Sequence, residues 1–74
     1  MWEEGSITMN DSVFHCWMKQ YEEGSPFGIE GGRISKLMIK HNDVIVCNYD
    51  RGWDIEPTTD EAKAAYAIIL GKYN

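Results

Sequence analysis

Hydrophobic and polar positions alternate along most of this chain and change to a helical spacing near its C-terminus. Trp2 to Met9 reads as a first strand, with Ile7 and Met9 on one face and Trp2, Ser6 and Thr8 on the other. Ser12 to Tyr21 is a second strand, rich in β-branched and aromatic residues. Between them, Asn10-Asp11 is turn chemistry, because both residues tolerate left-handed backbone. Arg33 to His41 and Val44 to Tyr49 repeat the arrangement around a second Asn-Asp turn, Asn42-Asp43. Glu22 to Gly32 and Asp50 to Pro57 read as loops. The first holds four of the seven glycines.

The last element is a helix from about Thr59 to Leu70, ending near Gly71. Pro57 precedes Thr58-Thr59-Asp60-Glu61, which has the form of a capping box between Thr58 and Glu61. Ala62, Ala65, Tyr66, Ile69 and Tyr73 form one apolar stripe. Ala64, Ala67, Ile68 and Leu70 extend it around most of the circumference, a pattern that calls for cover on more than one side. The predicted fold is α+β, in the order ββββα. Two hairpins form a four-stranded antiparallel sheet, with one C-terminal helix packed on one face and residues 1–74 as a single domain.

Two-residue turns fix the register of each hairpin. Met9 should oppose Ser12, Ile7 should oppose Phe14, His41 should oppose Val44, and Ile39 should oppose Val46. The core face then carries Ile7, Met9, Phe14, Cys16, Met18, Leu37, Ile39, Val44 and Val46. The other face carries Trp2, Val13, His15, Trp17, Lys19, Tyr21, Ile34, Lys36, Met38, Lys40, Ile45, Cys47, Tyr49 and, past the strand end, Arg51. Cations interleaved with aromatic rings suit an anionic, aromatic partner: rings stack on a base and cations pair with phosphate. The plainer reading of the same face is a subunit interface, with lysine stems lying over the rings, and the two are compatible, because a dimer interface can form a pocket lined from both subunits.

Composition narrows the choices. A chain of 74 residues buries only about 60% of its unfolded surface. Cys16 and Cys47 form no disulfide framework or zinc spacing and read as reduced, buried thiols. Self-association into a dimer or higher homo-oligomer is the expected compensation. The net charge of −5 disfavours duplex DNA, although Lys19, Arg33, Lys36, Lys40 and Arg51 concentrate cations mid-chain. No apolar run approaches the roughly 20 residues of a membrane span. The acidic start Met1-Trp2-Glu3-Glu4 lacks the features of a signal peptide, so a cytoplasmic location is expected.

Two motifs stand out. Gly31-Gly32-Arg33 could form part of an anion-binding backbone nest, although it lacks the ending of a P-loop and opens a strand. In Asn48 to Asp54, Asp50 and Asp54 flank Arg51 and could hold it in place. Neither histidine shares a face with the other, so no metal site is expected. No nucleophile has a recognisable base, so neither a catalytic residue nor a cofactor is assigned. The ligand-binding candidates are Arg33, Lys36 and Arg51 for phosphates, Trp17, Tyr49 and Trp53 for stacking, and Lys19 and His15 beside them.

Gly28-Ile29-x-Gly31-Gly32-Arg33-Ile34-Ser35-Lys36-Leu37 and Tyr49-Asp50-Arg51-Gly52-Trp53-Asp54, followed by a proline and a helix, resemble a small domain of unknown function. That family occurs in Firmicutes bacteria, their phages and mobile elements. The family has no assigned activity, so the resemblance implies little about biochemistry, and the absence of a catalytic signature is what points to a non-enzymatic protein. Its phage context suggests an anti-defence protein that sequesters a cyclic or ADP-ribose-like nucleotide signal. The alternative is an interaction module that docks on a host protein.

Overall fold

The computed structural model describes residues 2–74. The expected α+β layout forms, with one antiparallel sheet and one C-terminal helix, but the sheet has five strands rather than four. They are β1 (Trp2–Met9), β2 (Ser12–Gln20), β3 (Ile34–His41), β4 (Val44–Asp50) and β5 (Trp53–Ile55), and the helix α1 is Asp60–Tyr73. Spatial order follows chain order throughout. Among the described residues, no helix is long and apolar enough to cross a membrane.

Both Asn-Asp turns behave as their chemistry demands. Asn10, Asp11, Asn42 and Asp43 all have positive φ, between 47° and 66°, as a type I′ turn requires. The first hairpin has the predicted register, with Met9 opposite Ser12 and Ile7 opposite Phe14, and pairing continues to Glu3 opposite Met18 and Trp2 opposite Lys19. The second begins as predicted, with His41 opposite Val44, and then departs. A bulge leaves Val46 as an extra residue, so Ile39 pairs with Cys47 and not with Val46. One inserted residue exchanges the faces of everything beyond it. Cys47 and Tyr49 therefore lie on the core side, correcting their expected place on the open face.

A second irregularity sits between β2 and β3. Lys19 pairs with Lys36 and Gln20 with Ile34, leaving Ser35 as the extra residue. The Ser35 hydroxyl donates to the Lys19 carbonyl at 3.0 Å. Ile34 is thereby turned into the core, where it is fully buried, and not onto the open face. Val44, expected in the core, is exposed at the hairpin end.

The fifth strand comes from the stretch read as a loop. After β4 the chain turns through Asp50, Arg51 and Gly52, with Arg51 at φ 57°. The Asp50 amide donates to the Gly52 carbonyl and the Arg51 amide donates to the Ser35 carbonyl. Tyr49 then pairs with Trp53.

The core joins Phe14, Cys16, Met18, Leu37, Ile39 and Cys47 of the sheet to Ala65 and Ile69 of the helix. Thr59, not Thr58, is the N-cap, and its hydroxyl accepts from the Ala62 amide. Residue N3 is therefore Ala62, and the predicted Thr58–Glu61 box does not form. The helix also runs through Gly71 to Tyr73. Its end is tied down beyond that glycine: Gln20 donates to the Tyr73 carbonyl, and the Asn74 side chain bonds Ile34 and Ile29. Ala64, Ala67 and Ile68 remain exposed on the outer side of the helix.

Candidate functional site

The sheet face away from the helix is uncovered, and cross-strand pairing orders it into rows. Trp2, Lys19, Lys36 and Asp50 stand side by side on β1 to β4. Next come Glu4, Trp17, Met38 and Asn48, and then Ser6, His15, Lys40 and Ile45. The face holds an open trough of about 910 Å³. Trp17 and Met38 line its middle, with Lys36 and Lys40 two residues either side of Met38 on β3. Trp2 borders it on β1, while Asn48, Asp50 and the β5 residues Trp53 and Asp54 border the opposite side.

Polar partners are already fixed within the trough. Lys36 Nζ lies 3.6 Å from Asp50 Oδ1. Asn48 Nδ2 donates to Asp54 Oδ2 at 3.2 Å. Asp50 and Asp54 therefore engage Lys36 and Asn48, in place of the expected clamp on Arg51. The Lys36–Asp50 pair is substantially exposed, with side chains 33% and 60% accessible. Such pairs contribute about 0–1 kcal/mol, so a phosphate can replace the carboxylate at small cost.

The candidate residues divide accordingly. Trp17 and Lys36 meet in the trough. His15 lies beside Trp17, ring centroids 6.3 Å apart, and Lys19 stands in the row between Trp2 and Lys36. Trp53 borders the trough, but its ring packs edge-on against Tyr49 at 5.1 Å and Tyr66 at 5.4 Å. Tyr49 does not present a stacking face. It is 8% exposed, and its hydroxyl donates to the Phe27 carbonyl. Arg33 is directed elsewhere, with its Nε donating to the Tyr21 carbonyl at 3.1 Å. Arg51 projects from the exposed β4–β5 turn, outside the trough lining.

The glycine loop is not an anion nest. Its amides are spent internally: Gly31 donates to the Gly28 carbonyl, Gly32 to that of Ile29, and Ser25 to that of Gly32. The residues that join the trough without having been singled out are Trp2, Met38, Lys40 and Asn48. Alternation had placed the first three on this face; Asn48 depends on the β4 bulge. Its only trace in the sequence is the unbroken apolar run Val44-Ile45-Val46-Cys47, which lacks a clean period of two.

The buried thiols are unsuited to nucleophilic chemistry. Burial pushes Cys47 up to about 12. Burial also raises Cys16, opposed by the Gly5 backbone and by Lys72. Both remain protonated at neutral pH, and a thiol is a poor nucleophile. Among the described residues, no group of three or more His, Cys, Asp or Glu is arranged to hold a metal ion.

This chain belongs to the family described as a domain of unknown function, DUF7678, whose profile spans residues 1–74. No curated protein and no solved structure matches it.

Proposed function

We propose, for this member of a family without an assigned activity, that the protein binds and sequesters an anionic nucleotide in the trough of its open sheet face. One observation carries this reading: Trp2 and Trp17 share a single trough with Lys36 and Lys40. Its volume, about 910 Å³, lies toward the upper end of the roughly 300–1,000 Å³ common for small-molecule sites. The indoles offer stacking surface and the ammonium groups offer charge for phosphate. Arg33 and Arg51 lie outside the lining of this site, and Tyr49 contributes to the lining while its ring stays buried toward the core. Sequestration of a nucleotide second messenger, as by a phage anti-defence sponge, asks only for tight binding and slow release. It needs no catalytic group.

Thermal unfolding with AMP, ADP, GMP, a cyclic dinucleotide and ADP-ribose tests the proposal. A bound ligand at a hundred-fold excess over Kd should raise Tm by roughly 10–20 °C. The shift should shrink in Trp17→Ala and Lys40→Ala proteins that keep the unliganded Tm. No shift with any of these compounds would sink the reading.

Exposed Trp2, Val13 and Ile55 favour a second reading, in which this region docks on a protein or on another copy of the chain. Native mass spectrometry separates the two. A retained small molecule supports the trough as a ligand site, and a stoichiometric protein partner or a homo-oligomer without one supports docking.

A further inference from the structure

The trough is chemically asymmetric across the strands, and this narrows the class of ligand. Trp2 and Trp17 lie on β1 and β2, the two lysines on β3, and Asn48, Asp50, Trp53 and Asp54 on β4 and β5. Neighbouring strands are about 4.8 Å apart, so Trp17 on β2 and Asp54 on β5 are separated by roughly 14 Å at the backbone. A mononucleotide that stacks on Trp17 and sets its phosphate on β3 leaves the β5 side empty.

On the β4–β5 side the two carboxylates, Asp50 and Asp54, make acceptors predominate. Asn48 spends one of its two amide N–H groups on Asp54 Oδ2, which leaves its carbonyl oxygen as an acceptor and its second N–H as a donor. Asp54 Oδ1 has no hydrogen-bond or ion-pair partner among the described residues. An ionised carboxylate only accepts, so this side repels a second phosphate and suits hydroxyl or amine donors. The lysines lie between it and the indoles.

Resting on the nucleotide reading above, we propose that the ligand is two-headed. A base stacks at Trp2 and Trp17, a phosphate or diphosphate lies over Lys36 and Lys40, and a hydroxyl-rich second head, a ribose-like sugar, donates to Asn48 and Asp54. ADP-ribose has this form. ADP has the same base and diphosphate but ends in a more highly charged phosphate.

The two compounds make opposite demands, which makes the test decisive. If lysine charge alone governed binding, ADP would bind at least as tightly as ADP-ribose. Donor bonds to a carboxylate predict the reverse, with ADP-ribose tighter by roughly ten-fold or more. Isothermal titration of the wild-type protein with each compound decides between them. Asp54→Ala, at an exposed position, should remove the ADP-ribose advantage and leave ADP binding no weaker than in the wild type. Equal or tighter ADP binding by the wild type would overturn the two-headed ligand while leaving a nucleotide site standing. An ADP-ribose advantage that survives in Asp54→Ala would overturn the role given to the acceptors. If neither compound binds, the two-headed ligand is overturned, and the nucleotide reading then stands or falls on AMP, GMP and the cyclic dinucleotide.

Discussion

Gly28 and Gly32 lie in the same loop, and a side chain at either is opposed by space rather than by backbone angle. A Cβ on Gly28 would run into the Gly32 carbonyl, whereas one on Gly32 would meet the Asn74 carboxamide. The first obstacle is backbone and cannot give way; the second is the end of a side chain and can. The Asn74 carboxamide nevertheless accepts from the Ile34 amide and donates to the Ile29 carbonyl, each at 3.0 Å. Displacing it forfeits two bonds of about 1 kcal/mol each. Gly32→Ala should therefore cost about 1–2 kcal/mol in chemical denaturation, and Gly28→Ala distinctly more. Equal losses would show that the backbone yields as readily as the side chain. Gly31-Gly32-Arg33 thus belongs to a packed lock between loop and helix end.

At the scale of elements, the helix offers the sharpest contrast between neighbouring residues. Thr59→Ala should lower stability by about 1 kcal/mol, and Thr58→Ala by little, because only Thr59 caps the helix. Urea denaturation of the two variants checks this, and a larger loss at Thr58 would contradict the observed cap. The hairpins were legible because Asn-Asp fixes a turn and alternation fixes faces; the whole β1–β2 register follows from Asn10-Asp11. What the sequence concealed were the insertions at Ser35 and Val46. A bulge changes no local propensity, yet it reassigns Ile34, Cys47 and Tyr49 to the core. Strand β5 was concealed for another reason. Its three residues are too few to show a period, and its turn uses Arg51 at positive φ, where glycine or asparagine would have announced it. Trp17 and Lys36 were found because they precede the β4 bulge in the sheet. Tyr49, beyond it, was assigned to the wrong face.

For the whole molecule, the core ties stability to alkaline pH. Burial moves the Cys47 thiol from an ordinary 9.0 to about 12. Burial, helped by Glu30, moves the Tyr66 phenol from 10.0 to about 12. In both cases the folded state holds its proton more tightly than the unfolded chain. Their stabilising contribution is complete below pH 9 and is lost as pH rises toward 12. Denaturation across this range should show falling stability from about pH 9, and Cys47→Ala should make the fall between pH 9 and 10 shallower without abolishing it, because burial raises the Cys16 thiol from 9.0 as well. A flat profile to pH 12 would refute the linkage. The order of the strands has a separate consequence for how copies of this chain can meet. A meander leaves two free edges, β1 and β5. The edge of β1 carries Glu3, paired opposite core residue Met18, together with Glu4 and Gly5. Acids on an edge, one of them on the inward side, oppose the docking of another strand. At three residues, β5 is too short a template. Growth by strand addition, the route to fibrils, is disfavoured at both ends, which leaves the sheet face and the outer side of the helix as the surfaces for assembly.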